Sequence, residues 1–240
     1  MALTLATRFK YSKLNTLVLR AGYGWGQVST SGNVCTLTCD KDLKRPPAEI
    51  ETIREIISLQ IQFCTGLDLP ATFLMLGKMW SVNRLQLKSC AVKELPPEVG
   101  ALTNVVDFDL GNEGQGSLNE FTTFPPEFAS MKRLRYLRLH HNPQFEAFPP
   151  EAAKMTSLRH IGLGGFHSLP KNIELFPNLE DLKLTFSGIV PMQVAPLIAR
   201  PNGLKSVTVG EAYYDMFEEL AAEYPGFSVT EEPTSLRGDY

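Results

Sequence analysis

Net charge is nearly absent from this chain: 23 Lys and Arg against 26 Asp and Glu leave −3 over 240 residues. That balance gives no bulk attraction to nucleic acid. Long apolar runs are missing too; none approaches the roughly 18 residues that a membrane span requires. The opening stretch MALTLATRFKYSK has no basic lead-in and no small-residue cleavage site. It is therefore expected to be a mature cytoplasmic terminus; an effector exported without a cleaved signal would begin the same way. Cysteines number only four, Cys35, Cys39, Cys64 and Cys90, without metal-ligand spacing and with no histidine near them, so zinc is not expected. They read as small buried apolar groups, and a Cys64–Cys90 disulfide is geometrically open. Glycines at 111, 114 and 116 spell G-x-x-G-x-G, but no strand leads through them into a helix, so phosphate cradling is not expected.

What the chain does have is a period. The pattern L-x-x-L-x-L returns as LNTLVL from Leu14, VCTLTC from Val34, IISLQI from Ile56, VNRLQL from Val82 and VVDFDL from Val105. LRYLRL from Leu134, LRHIGL from Leu158, LEDLKL from Leu179 and LKSVTV from Leu204 continue it. The nine copies are spaced 20 to 29 residues apart. Such a period marks a solenoid, in which each unit covers the apolar face of the next. Inside a copy the alternation is that of a short strand, with positions 4 and 6 inward and 3, 5 and 7 outward. Prolines 96, 125, 149 and 170 each stand nine residues ahead of the next copy. The length variation therefore falls mostly between strand and proline, where a surface loop tolerates it. Register is secure from Ile56 onward and softer before it.

Stretches such as VNRLQLKSCAVKELPPEVGALTN and LRYLRLHHNPQFEAFPPEAAKMTS resemble the leucine-rich repeat family, in its roughly 23-residue intracellular and bacterial form. The resemblance covers about residues 14–212. It implies an α/β fold: a right-handed, horseshoe-shaped solenoid with a parallel sheet on the concave face and a helical or irregular convex side. In one respect the chain departs from the pattern. The family's ninth position is usually asparagine, and here only Asn142 clearly fills it; Cys64, Cys90, Phe166 and Ser187 occupy the same slot in other copies. The ladder that this residue builds between turns must be incomplete or improvised.

The expected division is an N-terminal cap over 1–13, repeats over 14–212 and a capping helix with tail over 213–240. In AYYDMFEELAAEYPG, Tyr214, Phe217, Leu220 and Ala221 share a helix face toward the last repeat, and FSV after it suits a short edge strand. Residues 20–33 are either an irregular first repeat or the turn of an antiparallel hairpin. The insertion GNEGQGSLNEFTTF from Gly111 reads as a mobile loop at one rim.

Outward positions turn the repeats into a surface. Early copies present small neutral groups, whereas the middle copies present Arg84, Asp107, Asp109, Tyr136, Arg138, His140, His160, Asp181 and Lys183. Gly162, Gly164 and Gly165 remove side chains from one repeat and should leave a hollow walled by Arg138, His140 and Lys183. Tyr136, His141, His160 and Phe186 lie beside it as rigid amphipathic groups of the kind enriched at interfaces. These nine residues are the candidate partner-binding set, with an acidic group of the partner in the hollow. A polar sheet face with opposite charges on neighbouring strands is the plainer alternative.

A hydrolytic row of His160, Asp181 and Ser206 fails on geometry. The acid stands in the middle, and His160 to Ser206 spans two strand spacings, about 9.6 Å. Nor do His140, His141 and His160 converge as metal ligands, because sequence neighbours on a strand point apart. The chain is expected to be a non-catalytic monomer without cofactor or metal. As the resemblance implies, it should bind a protein or peptide partner through its concave face, with no role for nucleic acid or membrane. An enzyme inhibitor or regulatory subunit, or a bacterial effector acting by binding, are the alternatives.

Overall fold

A computed structural model of the chain describes residues 16–21, 24–31, 34–39, 44–46, 50–51, 54, 56–112 and 118–232. One sheet of eleven strands runs through it in sequence order. Its members are β1 (Thr16–Ala21), β2 (Gly24–Ser31), β3 (Val34–Cys39), β4 (Ser58–Gln62), β5 (Arg84–Lys88) and β6 (Asp107–Asp109). β7 (Tyr136–Arg138), β8 (His160–Gly162), β9 (Asp181–Lys183), β10 (Ser206–Gly210) and β11 (Ser228–Glu232) complete it. From β3 to β11 every pairing is parallel. Ser58, Arg84, Asp107, Tyr136, His160, Asp181 and Ser206 lie in one row across seven strands, as equal repeat positions require.

The two earliest copies depart from the expected register. LNTLVL supplies β1, which pairs antiparallel with β2, and β2 pairs antiparallel with β3. The glycine-rich segment is thus more than a turn: it supplies a whole strand, and β1 and β2 precede the parallel stack. In β3, Cys35 pairs with Leu59 and Leu37 with Ile61, two residues away from the register expected for that copy. The faces survive the slip because strand side chains alternate with a period of two. Cys35 and Leu37 are both fully buried.

Inward positions 4 and 6 carry the core along the sheet. Leu59, Ile61, Leu85, Leu87, Phe108, Leu110, Leu137, Leu139, Ile161, Leu163, Leu182 and Leu184 are buried. A second apolar column runs under the convex side. Phe124 meets Phe121, Phe128, Phe145 and Phe148 at ring distances of 4.6–6.2 Å, and Phe148 meets Phe176 at 4.8 Å. Phe124 and Phe148 are the apolar partners in the Phe-Pro steps of the repeat. The proline that follows holds each phenylalanine in extended backbone and aims the chain into a short 3-10 turn.

Those turns start at the next proline, over Pro97–Ala101, Pro126–Ser130 and Pro150–Lys154. A missing N–H costs nothing at a first helical position, which is why a Pro-Pro pair suits this junction. The helices are α1 (Leu69–Lys78), α2 (Pro191–Ile198) and α3 (Glu211–Glu223). α1 is capped by Asp68, whose carboxylate accepts from Ala71 N at 3.1 Å. Phe217 and Leu220 of α3 are buried, and Tyr214 and Ala221 pack against the core beside them. β11 then adds the last parallel strand, as the sequence FSV anticipated.

The ends of β4, β5, β7, β8 and β9 turn in the same way. Phe63, Ser89, His141 and Phe186, all at position 8, have φ of 52–59°, and Gly165 at that position has φ 82°. The left-handed step aims position 9 back into the stack, where improvised groups take up carbonyls. Cys90 Sγ donates to Lys88 O at 3.3 Å. Asn142 Nδ2 donates to Leu110 O, Leu139 O and His140 O, each at 3.1 Å.

The insertion supplies the missing asparagine. Asn119 accepts from Cys90 N and Val92 N and donates to Leu87 O and Leu110 O, all within 3.2 Å and buried. Asn112 ties the loop's two ends together, its Oδ1 accepting from Asn119 N at 2.6 Å. This end of the insertion is therefore a structural strut and not a free rim loop; residues 113–117 lie outside those described.

The cysteines need one correction. Cys35 and Cys90 are free and buried, and burial pushes their thiols up, to about 12 and about 11. Cys64 is disulfide-bonded while Cys90 is free, so the Cys64–Cys90 pairing is not formed.

Candidate functional site

The concave face is built from side chains two residues apart on short strands, brought about 4.8 Å apart from strand to strand. On β3 and β4 it is neutral: Thr36 Oγ1 donates to Gln60 Oε1 at 3.1 Å, with Gln62 beside them. From β5 to β9 the charges begin, and they sort into two levels.

Asp107 and Asp109 form the lower level. Both are buried, on a three-residue strand flanked by longer side chains. Arg84 Nε reaches over to Asp107 Oδ2 at 2.8 Å, and Arg138 Nη1 bonds Asp107 Oδ1 from the opposite side. Asp109 accepts from Gly111 N at 2.9 Å and lies 4.0 Å from Lys88 Nζ. Burial raises the Asp109 carboxyl above the ordinary carboxylate value, against the pull of Gly111 N–H, Lys88 and Arg138. Arg84, Lys88, Arg138 and Lys183 make the upper level. The reason is reach: an arginine spans a strand spacing and covers a short carboxylate while its stem stays packed.

His140 fills the part of the expected hollow that lies over Gly162, and open space remains between Arg138, Gly164 and Lys183. A Cβ on Gly162 would stand 2.6 Å from His140 Cε1, and one on Gly164 would stand 3.1 Å from His140 Nδ1. Gly162 and Gly164 make room for the imidazole of the neighbouring strand. His140 is held neutral, its pKa lowered to about 3, first by burial and then by the Lys183 and Arg138 charges. Lys183 finds a carboxylate within its own chain: its Nζ lies 2.5 Å from Glu232 Oε1 on β11. Sequence reasoning missed Glu232, since β11 was expected only as a short edge.

His140 divides the open space in two. One cavity of about 280 Å³ is lined by Arg84, Lys88, Arg138 and Lys183, with His141 and Phe186 at its edge. The other, of about 150 Å³, lies between Tyr136, His160 and Asp181. The Tyr136 and His160 rings stack at 4.4 Å with 7° between planes. Asp181 Oδ1 accepts from Ser206 Oγ at 2.7 Å while Oδ2 faces His160 Nδ1 at 3.5 Å. The acid is thus central, and it is Asp181, not His160, that stands beside the serine. Among the described residues no group of three His, Cys, Asp or Glu side chains is placed to hold a metal ion, and no helix is long and apolar enough to cross a membrane.

Phe186 is the other functional candidate on this face. It is 57% exposed and projects from a left-handed turn residue, a conformation that costs a non-glycine residue energy. His141 is exposed in the same way from the turn after β7.

A nine-stranded parallel sheet whose strands are joined by helices and proline-led 3-10 turns is the leucine-rich-repeat fold, and this chain has it. Among solved structures, it is similar to a leucine-rich-repeat protein of Leptospira interrogans, with a TM-score of 0.50 and 24% identity over 69% of this chain and 40% of that one. It also matches an internalin of Listeria monocytogenes, with a TM-score of 0.46 and 13% identity, over 83% of this chain and 69% of that one. The chain spans 40% of the length of the Leptospira protein. No family model and no curated protein matches it.

Proposed function

We propose that this protein is a non-catalytic interaction module that holds a protein or peptide partner on its concave face, across β5 to β9. The observation that carries the reading is the contrast along one sheet: neutral β3 and β4, then a cationic cavity and a stacked Tyr136–His160 pair side by side. Arg84, Tyr136, Arg138, His160, Asp181 and Lys183 are the residues that meet the partner. Asp107, Asp109 and His140 hold that surface from beneath. Rigid aromatic and arginine groups of this kind dominate interface energetics, because they bury much area for little entropy. Replacing Tyr136, Arg138 and His160 together by alanine tests it in an affinity capture from lysate. The triple variant should lose the partner; its melting curve checks the fold, because Arg138 also pairs with buried Asp107, and Arg84 keeps that carboxylate partnered. Retention of the same partner at wild-type level by a folded triple variant would remove the concave face from the account.

A further inference from the structure

The two-level arrangement of charge has a direction. Side chains on the upper level expose 50% (Arg84), 32% (Arg138) and 33% (Lys183) of their surface, whereas Asp107 and Asp109 beneath expose 7% each. An incoming group therefore meets guanidinium and ammonium N–H groups, although the carboxylates nearly match them in number. Near-neutral overall charge conceals a cavity whose exposed charged groups are cationic. Beside it stands Phe186, a large apolar side chain left in solvent on a strained turn.

We propose that the 280 Å³ cavity receives a carboxylate of the partner, an Asp or Glu side chain, with an adjacent apolar side chain lying on Phe186. The inference rests on the concave-face reading and names the chemistry recognised there. Arg84 and Arg138 are already held in place by Asp107, so their remaining N–H groups are preorganised for a second acceptor, and the ordering cost at binding falls. A peptide segment is favoured over a small free anion by the shape of the space. The two cavities share Arg138, His140 and Lys183 and lie on one open face. An extended segment crossing β7 to β9 fills both, with its carboxylate in the first and an apolar or aromatic group against Tyr136 and His160.

A random peptide library displayed on phage and selected on the full chain at low salt tests this. Recovered peptides should be rich in Asp or Glu next to aliphatic or aromatic residues. Their affinity should fall at least about tenfold on the Arg84→Gln/Lys88→Gln variant, checked for folding by its melting curve, and should fall steeply with added salt on the wild-type chain. The salt dependence needs no variant and stands if the double substitution destabilises the fold. Peptides without acidic enrichment that bind wild type and fail on the Tyr136, Arg138 and His160 triple variant overturn the carboxylate and leave the concave-face reading intact. Acidic peptides that bind both variants as tightly as wild type attach elsewhere and overturn it as well. Selection that yields no peptide sensitive to either variant removes both.

Discussion

His140 is the residue on which the middle of the concave face is organised. Its ring fills the space vacated by Gly162 and Gly164, so Gly162→Ala forces a Cβ to 2.6 Å from His140 Cε1. Overpacking of this sort costs about 1–3 kcal/mol. Urea unfolding should show that loss, and should show it reduced when His140→Ala is added, because the clashing partner is then gone. A pH effect follows from the same burial. In the unfolded chain His140 takes a proton near pH 6.5, whereas the native ring resists it down to about 3. Between those values the unfolded state binds more protons, so stability is lost as pH falls, at up to about 1.4 kcal/mol per pH unit. Asp109 works in the opposite sense: its raised value lets the native state take up a proton first, a gain in stability toward low pH. Comparing wild type with His140→Gln isolates the histidine, and the variant's stability should fall less between pH 6.5 and 4. Identical pH profiles would show that the ring is protonated in the fold.

Among the elements, the insertion after β6 carries more than its composition suggested. Its visible glycines argued for a loose loop, yet Asn119 returns from it to bond two amides and two carbonyls that no strand pairing reaches. Asn119→Ala should lower stability by roughly 2–4 kcal/mol, read from denaturant midpoints, since a buried amide and its partners lose each other at once. A change under about 0.5 kcal/mol would mean that water replaces the side chain. The asparagine was hidden because the extra residues displaced it from its place in the copy. The strands were legible for the opposite reason. Their inward positions obey a period that sterics enforces, and only β3, where Cys35 stands in for a larger apolar group, slipped by two residues. Rotamers were not legible: that Arg84 and Arg138 would cover Asp107 depends on side-chain reach, which a residue pattern does not encode.

At the scale of the whole molecule, stacking in one register puts residues far apart in number into rows, and the row from Arg84 to Ser206 follows from that alone. The outward positions of β5 to β9 do share one face. Depth was not legible: Asp107 and Asp109 lie buried beneath the longer side chains of their neighbours. The Phe column and the Glu232 partner of Lys183 also escaped sequence reasoning, since both arise between repeats and not within one. The sheet begins with the antiparallel strands β1 and β2 and ends with the parallel strand β11, beside which α3 buries Phe217 and Leu220. The proposed reading makes the concave face the one that meets the partner, and it is testable by position. A photo-activatable benzoylphenylalanine placed at Tyr136 and, separately, at Trp80 beyond α1 compares that face with another exposed aromatic site. Irradiation in lysate should give one discrete partner adduct from position 136 and none from position 80; the same adduct from position 80, with position 136 silent, would contradict the account.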